Sequence, residues 1–269
     1  MFEGGAASER RSTEARIQRR AHRGSGSRQH STLCPAFVLT ALIVLSCWPT
    51  PQPPAVDPSE FAVAAYGDSL TLGGGTGPGG WPSALPVSWT HFNSGKNAER
   101  AKSGAARPVS APDLGVLASN WDVVVLMWGT NDVTYPGYSD DLGSPTPDWP
   151  AQDVLRDEDV LGPIEGAAMT LQAAGLRVVV AWPPPLLIGA SGAEIGNARL
   201  LRLRDAGRTR FGAHGIAFVD LFAAFSESPS VPDPSIYYQD PVHWNALGNQ
   251  RAADRSCSSC NKDFHRWNS

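Results

Sequence analysis

The sequence predicts an α/β fold in which helices cover both faces of a central, five-stranded parallel sheet. Between residues 60 and 222 lie five apolar runs, several of them continuous and rich in β-branched residues. Such runs are typical of strands that are covered on both faces, as in parallel sheets. Segments with helical spacing separate the runs. This alternation predicts right-handed βαβ units and a doubly wound, three-layer architecture.

The five predicted strands are residues 61–66, 87–92, 123–128, 176–182 and 216–221. The third and fourth are the clearest, with Val-Val-Val-Leu-Met from Val123 and Val-Val-Val-Ala from Val178. Sheets of this class bind ligands at the carboxyl ends of their strands. Gly67, Gly129 and Pro183 each follow a predicted strand, so we expect them to converge on one edge of the sheet.

Helical spacing marks the segments between the strands. Apolar residues recur every three or four positions over 160–174, leucines lie among arginines over 194–211, and a last helix is expected over 245–254. Residues 71–80 are mostly glycine, but no Gly-Lys-Ser/Thr follows, which argues against a nucleotide-binding α/β protein. Residues 133–153 form a long segment that is interpreted either as a lid or binding loop or as a solvated connection.

Charge is spread unevenly along the 269 residues. The net charge is −4, while residues 1–32 carry seven arginines against three glutamates, which leaves −8 for the remainder. An acidic body argues against a nucleic-acid partner, because phosphate contacts need a basic face. The basic segment precedes an uncharged apolar segment, residues 33–48, whose core is shorter than the roughly 18–20 residues that span a bilayer. This order resembles a secretory signal.

The apolar segment leaves two interpretations open. Val-Leu-Ser-Cys at residues 44–47 resembles a bacterial lipoprotein box, in which Cys47 is lipidated and attaches the protein to a membrane. The leucine two positions before the cysteine fits that box poorly and favours ordinary export. Both interpretations predict a secreted or cell-envelope protein. The chain then divides into a basic region (1–32), the apolar segment (33–48), a proline-rich linker (49–59), a globular domain (60–256) and a polar tail (257–269).

The cysteines do not predict a metal site. Cys257 and Cys260 form a Cys-x-x-Cys in the tail, without a second pair or histidines at metal-ligand spacing. In an exported protein these two are expected to form a disulfide with each other, or to be exposed in the tail.

Three motifs, in order, supply the chemistry of acyl transfer. Gly-Asp-Ser-Leu at 67–70 follows the first predicted strand, Gly-Thr-Asn-Asp at 129–132 follows the third, and Asp-Pro-Val-His at 240–243 precedes the last helix. Together they offer a nucleophile, an oxyanion donor, and a base with its orienting carboxylate. Taken singly, Ser69 has an alternative explanation as a helix cap, and Asn131 is explained equally well as a turn residue. Their order along the chain and their positions at the ends of predicted strands favour a functional role for both residues.

These motifs resemble those of the SGNH hydrolases, also called the GDSL esterase/lipase family, over about residues 60–256. The resemblance implies a flavodoxin-like fold and a serine ester hydrolase that needs neither a metal nor an organic cofactor. It implies that Ser69 is the nucleophile and His243 the general base, oriented by Asp240. Asp220, which ends the fifth predicted strand, is a rival for the orienting role.

The resemblance also implies an oxyanion hole built from the N–H of Ser69, the amide of Asn131 and the N–H of a glycine. That glycine is the second one of an Asn-x-Gly-x-x-Gly pattern. Here residues 93–98 read Asn-Ser-Gly-Lys-Asn-Ala, so an alanine stands in its place. A backbone donor survives this change if the local dihedral angles suit alanine. The candidates for this donor, in order of preference, are Ala98, Gly95 and Gly104.

The predicted function is exported ester hydrolysis through an acyl-enzyme, on short-chain acyl esters that include O-acetylated carbohydrates and small lipid esters. The alternatives are an acyltransferase with the same triad and a non-catalytic cell-envelope binding module. Residues 133–153 look too polar for a lipase lid. The expected partner is a small-molecule or carbohydrate acyl ester, bound by a monomer. Four tryptophans near predicted loops are either sugar-stacking or ordinary core residues: Trp81, Trp149, Trp182 and Trp244.

Overall fold

The computed structural model describes residues 61–74, 79–134, 155–187, 190, 193–226 and 233–267, with side chains described up to residue 258. Of the two units into which the chain divides, Met1–Gln52 lies outside the described residues, and Pro53–Ser269 contains the sheet. The predictions of a basic region, a signal or lipoprotein segment with Cys47, and a linker therefore fall outside the described residues. No helix within the described part of the chain is long and apolar enough to cross a membrane.

A five-stranded, all-parallel sheet forms the centre of the second unit, which confirms the predicted fold class. The strands run in the order β2-β1-β3-β4-β5. Because β1 lies between β2 and β3, the chain segments that leave these three strands emerge side by side at one edge. The strands are β1 (Ala62–Gly67), β2 (Thr90–Gly95), β3 (Val123–Met127), β4 (Arg177–Trp182) and β5 (Ala217–Asp220).

The position of β2 differs from the prediction. The strand was expected over 87–92, but it spans Thr90–Gly95, and Val87 is fully exposed before it. β2 is an edge strand whose first three residues are exposed. Its side chains therefore need not be apolar, unlike those of a central strand that is covered on both faces. The shift brings Gly95 into register with Gly67 at the end of β1. Residues 96–100 consequently leave the sheet beside the first motif.

Helices alternate with the strands as the sequence indicates. The two long predicted helices, over 160–174 and 194–211, correspond to α5 (Asp157–Ala173) and α6 (Ala193–Ala213). Short helices α1, α4 and α7 begin close to the carboxyl ends of β1, β3 and β5. The helices are α1 (Ser69–Leu72), α2 (Ala101–Gly104), α3 (Ala111–Asn120), α4 (Thr130–Thr134), α5 (Asp157–Ala173), α6 (Ala193–Ala213), α7 (Leu221–Phe225) and α8 (Ala246–Trp267).

The last helix continues beyond its predicted end. It was expected over 245–254, but α8 runs to Trp267, through the residues that we assigned to a polar tail. Its inner face extends past the expected end, because Ala252, Ala253 and Ser256 are buried and Cys257 packs against the core. The side chain of Cys260 lies outside the described part, so its predicted pairing remains a prediction.

The two faces of the sheet bury two separate apolar clusters, because successive strand residues point to opposite faces. On one face, residues such as Val124 and Leu126 pack against the apolar sides of α5 and α6. On the other face, Val123 and Val125 belong to the cluster that includes residues of α7 and α8. The helices therefore cover both faces and leave the carboxyl edge of the strands for the site.

Candidate active site

Ser69 is the first residue of α1 and lies directly after β1. Asp68 caps this helix, and its Oδ1 accepts a hydrogen bond from the N–H of Leu70 at 3.0 Å. Gly67 permits the turn, since a Cβ there would lie 2.5 Å from the carbonyl oxygen of Met127. As the first helical residue, Ser69 has an N–H without an acceptor inside the helix. Its hydroxyl and its N–H are thus both held at the carboxyl end of β1.

Ser69 and the third motif are joined by hydrogen bonds although 174 residues separate Ser69 from His243. The Nε2 atom of His243 lies 3.0 Å from Ser69 Oγ, and its Nδ1 lies 2.9 Å from Asp240 Oδ2. The spacing of three residues lets Asp240 bind the imidazole and, through Oδ1, also accept from the N–H of His243 at 2.7 Å. The structure therefore brings the three predicted triad residues together in the expected order of contacts.

Asp240 is maintained as a carboxylate by its own loop. Partial burial raises the pKa of this carboxyl, but the N–H groups of His243 and Val242 and the imidazole outweigh that effect and hold the pKa below its usual range. The carboxylate therefore stays charged at neutral pH, with the imidazole N–H donating to it. Its side chain is 44% exposed and that of His243 is 29% exposed, so solvent reaches both groups.

The loop that carries His243 is closed at its base. Tyr238 and Trp244 form an isolated antiparallel bridge, and the N–H of Gln239 donates to the carbonyl of His243 at 3.0 Å. Trp244 stacks on Phe225 of α7 with ring centroids 5.2 Å apart. We call residues 238–244 the histidine loop. Its closure limits how far the imidazole can move.

Two contacts attach the histidine loop to the rest of the site. The carbonyl of Pro241 accepts from the N–H of Leu187, in the segment after β4, at 2.9 Å. On the other side, the side-chain amide of Gln239 donates to the carbonyl of Gly74, which follows α1. A Cβ at Gly74 would lie 2.7 Å from Cδ2 of His243, so the imidazole packs directly against this glycine. The imidazole is therefore fixed relative to residues 67–74, which we call the serine turn.

Asp220 is not brought to His243. It caps α7, where its Oδ1 accepts from the N–H of Ala223 at 2.8 Å, and it forms an ion pair with Arg208. Of the two carboxylates considered for the orienting role, the structure places Asp240 in contact with the imidazole.

Asn131, the predicted oxyanion donor, is the second residue of α4 and follows β3 at the same sheet edge. Its Nδ2 atom donates to the main-chain carbonyl of Glu99 at 3.0 Å. A side-chain amide carries two N–H donors, so this bond orients the group and leaves the second N–H for a ligand.

Ala98, the first choice for the remaining donor, has a φ of +56°, and no other described non-glycine residue has a positive φ. Among the described residues its N–H has no hydrogen-bond partner. The N–H groups of the two alternatives, Gly95 and Gly104, are already bound to acceptors. The N–H of Gly95 donates to Asn93 Oδ1 at 2.8 Å, and that of Gly104 donates to the carbonyl of Arg100 at 2.8 Å. The geometry therefore favours Ala98.

Asn93 is a residue whose role the sequence analysis did not identify. Its Nδ2 donates to the carbonyls of Thr71, in the serine turn, at 2.7 Å, and of Gly79 at 2.8 Å. It thereby attaches β2 to the turn that carries the nucleophile. The signal was present, because Asn93 is the first residue of the Asn-x-Gly-x-x-Gly pattern, but only the glycines of that pattern were interpreted.

A buried carboxyl lies beside Ser69. Asp68 is fully buried, and burial raises its pKa to about 7, with the nearby charges of Asp132 and Glu99 adding to the shift and the N–H of Leu70 opposing it. This carboxyl therefore holds its proton over a wider pH range than an ordinary aspartate. Within the described residues, no group of three His, Cys, Asp or Glu side chains is placed to bind a metal ion.

Three of the four tryptophans considered for sugar stacking are not available for it. Trp81, Trp182 and Trp244 are at most 2% exposed, so these three are core residues. Trp149 lies outside the described residues, as do residues 135–153 of the segment that the sequence analysis interpreted as a lid, a binding loop or a solvated connection.

Several solved structures share this fold. A lipase/acylhydrolase from Enterococcus faecalis is 17% identical, with a TM-score of 0.54, over 77% of this chain and 96% of that chain. A member of the lipolytic G-D-S-L family from Veillonella parvula is 17% identical, with a TM-score of 0.56, over 75% and 98%. An α/β hydrolase from the metagenome of Lake Arreo is 21% identical, with a TM-score of 0.58, over 75% and 95%. No curated protein matches the sequence.

The family assignment comes from the sequence itself. The model of the GDSL-like lipase/acylhydrolase family matches residues 65–251, which include all three motifs and most of the described chain. The predicted resemblance and the predicted enzyme class, carboxylic ester hydrolase, are therefore confirmed at the level of the family. The chain belongs to the GDSL-like lipase/acylhydrolase family.

Proposed function

We propose that this protein hydrolyses short-chain acyl esters through a covalent acyl-enzyme on Ser69. The observation that carries the proposal is the continuous hydrogen-bonded chain from Ser69 Oγ through His243 to Asp240, with distances of 3.0 Å and 2.9 Å. A serine hydroxyl is a weak nucleophile until a base accepts its proton, and this arrangement supplies both the base and a carboxylate that stabilises the imidazolium.

The reaction begins when Ser69 Oγ attacks the carbonyl carbon of the ester and His243 Nε2 takes the hydroxyl proton. Negative charge develops on the carbonyl oxygen, where the N–H groups of Ser69 and Ala98 and the amide of Asn131 act as donors. His243 then passes its proton to the leaving alcohol. Water attacks the acyl-enzyme with the same base, and the free acid and Ser69 are restored.

Short acyl chains are the substrates that we favour. The lipase/acylhydrolase from Enterococcus faecalis shares the fold, but at 17% identity the likeness carries nothing about chain length. The sequence of residues 133–153 is rich in aspartate and proline, unlike the exposed apolar lid that a long acyl chain favours. A small-molecule ester is consequently preferred over a long-chain lipid. Burial of three of the four tryptophans weakens the argument for a carbohydrate ester.

The test is the substitution Ser69→Ala. We expect kcat on nitrophenyl acetate to fall by at least about 10⁴-fold, because the nucleophile is lost. Ser119→Ala, on the exposed face of α3, is the matched control and should keep full activity. Nitrophenyl esters of increasing chain length and acetylated xylan then define the acyl and alcohol parts. Unchanged hydrolysis by Ser69→Ala overturns the proposal.

A serine-directed fluorophosphonate probe separates an enzyme from a binding module. The wild type should be labelled and Ser69→Ala should not, whereas a non-catalytic module leaves both unlabelled. Measuring free acid against acylated sugar, with an added sugar acceptor, separates hydrolysis from acyl transfer.

We also propose export from a bacterial cell, on the basis of the basic segment 1–32 and the apolar segment 33–48 alone. Fractionation of cells that express the full chain tests this, because export predicts the protein in the medium or the envelope. Incorporation of a labelled fatty acid distinguishes the two modes: a lipoprotein should take up label that Cys47→Ser abolishes, whereas a cleaved, secreted protein should take up none in either form.

A further inference from the structure

Glu99 lies in the turn between β2 and α2, directly after Ala98, and its side chain is only 5% exposed. Burying a carboxylate costs free energy unless its oxygens are hydrogen-bonded and its charge is paired. A buried glutamate beside an oxyanion hole, where negative charge must develop, needs a physical reason. Its surroundings supply one.

Both carboxylate oxygens of Glu99 are occupied. Arg107 donates from Nε to Oε1 at 2.7 Å and from its second guanidinium nitrogen to Oε2, which makes the pair bidentate. The indole N–H of Trp128, at the end of β3, also donates to Oε2, at 3.1 Å. Bidentate guanidinium–carboxylate pairs fix direction as well as distance. The side chain of Glu99 is therefore locked in one position.

Arg107 is itself attached to the sheet. Its guanidinium donates to the hydroxyl of Ser94 at 2.7 Å and to the carbonyl of Ser94 at 2.8 Å. It also lies over the ring of Tyr66, 5.3 Å from the centroid. Ser94 is in β2 and Tyr66 in β1. Through Arg107 and Trp128, Glu99 is thus connected to three neighbouring strands.

The main chain of Glu99 contacts the oxyanion donors. Its carbonyl accepts from Nδ2 of Asn131 at 3.0 Å, and its N–H donates to the carbonyl of Lys96 at 3.3 Å, which closes the turn that contains Ala98. The amide of Asn131 and the turn that contains Ala98 are therefore both attached to Glu99. Preorganised donors stabilise a developing oxyanion because they need no reorientation during the reaction.

We propose that Glu99, anchored by Arg107 and Trp128, is a positioning residue that sets the oxyanion hole by holding Asn131 and the Ala98 turn. The inference rests on the proposed ester hydrolysis and concerns the same site. Glu99 does not contact substrate in this role. Its side chain fixes the main-chain carbonyl, and the carbonyl fixes the amide of Asn131.

The decisive variant is Glu99→Gln, which keeps the shape but replaces one carboxylate oxygen with an amide that cannot accept from Arg107. We expect kcat to fall about 10- to 100-fold, less than the roughly 10²- to 10³-fold typical of losing an oxyanion donor outright, with KM nearly unchanged. Glu165→Gln is the matched control, because Glu165 is also a mostly buried carboxylate that is bound by an arginine. It belongs to α5 and pairs with Arg210 of α6. The control should leave kcat unchanged.

A double-mutant cycle with Asn131→Ala distinguishes positioning from general damage. If Glu99 positions Asn131, Glu99→Gln should lower kcat by a clearly smaller factor in the Asn131→Ala background than in the wild type, because coupled residues are not additive, and the factor that remains measures the effect on the Ala98 turn. Arg107→Lys keeps the charge but loses the bidentate geometry, so it provides a second, milder variant in case Glu99→Gln does not fold. It should lower kcat in the same direction and show the same coupling.

The inference is overturned if both variants keep wild-type kcat, or if their effects multiply fully with that of Asn131→Ala. Either result leaves the proposed function intact as long as Ser69→Ala is inactive. Conversely, an active Ser69→Ala overturns the proposed function, whatever Glu99→Gln does.

Discussion

At the scale of single residues, Ala98 shows how the site departs from the sequence pattern of its family. A left-handed backbone costs an L-residue roughly 1–2 kcal/mol, which is why glycine is usual at such positions. Ala98 keeps a φ of +56° because hydrogen bonds fix the turn on either side: the N–H of Lys96 donates to Gly67 and the N–H of Glu99 donates to Lys96. The strain is thus confined to this turn.

Ala98→Gly should therefore leave the free energy of unfolding unchanged or raise it by about 1 kcal/mol, because relief of strain opposes the larger entropy of glycine in the unfolded chain. Urea denaturation measures this, and kcat should stay within about 2-fold of wild type because the backbone donor remains. Ala174→Gly, at a residue with φ −83°, is the control and should lose about 0.5–1 kcal/mol. Equal losses in both variants contradict strain at Ala98.

At the scale of elements, the proposed site joins two segments from opposite ends of the domain: the turn after α1 and the histidine loop. The bond from Gln239 to Gly74 joins them, and the imidazole of His243 packs on Gly74. The distance between Ser69 Oγ and Nε2 is consequently set by how closely the two backbones approach. A side chain at Gly74 is the smallest change that separates them.

Gly74→Ala should lower kcat by about 10- to 100-fold, because a misplaced base of even 1 Å is costly and a Cβ would lie 3.0 Å from Nε2 of His243. The melting temperature should change little, since the imidazole is partly exposed and can move outward. Gly166→Ala is the control: nothing lies within 4 Å of its would-be Cβ, so α5 should gain about 1 kcal/mol with kcat unchanged. Normal kcat in Gly74→Ala contradicts this geometry.

At the scale of the whole molecule, the buried carboxyl of Asp68 links the stability of the fold to pH. Its pKa of about 7 in the folded state lies above the 3.8 of a free aspartate. Between those two values the folded protein holds a proton that the unfolded chain has released. The free energy of unfolding therefore falls as pH rises through this window, and each unit of pKa difference corresponds to about 1.4 kcal/mol.

Asp68→Asn should remove this dependence, because asparagine keeps a cap oxygen for Leu70 and carries no charge. The variant and the wild type should differ little near pH 4. Above pH 7 the variant should be more stable by a few kcal/mol, because the wild type then carries a buried charge. Chemical denaturation of both proteins from pH 4 to 8 measures the difference. A constant difference over that range rules out Asp68 as the source.

The fold class and most residues of the site could be predicted from the sequence, and each prediction that was wrong or missing has a physical cause. The buried strands β1, β3 and β4 carry apolar runs that only a covered parallel sheet requires, so the fold class was predicted correctly. Strand β2 was displaced by three residues, because an edge strand needs no such run. The structure places Ser69, His243 and Asp240 in contact, although their catalytic roles stay predictions. Glu99 gave no signal, since it acts through a backbone carbonyl that every residue has.

The separation of Ser69 and His243 by 174 residues has a consequence for how the protein is made. Synthesis proceeds from the N-terminus, so all five strands and the serine turn leave the ribosome before the base does. A chain interrupted before the histidine loop contains Ser69 but lacks His243, which is the base in the proposed mechanism. If that mechanism holds, the site is completed last, and a truncated product without the histidine loop should show no esterase activity.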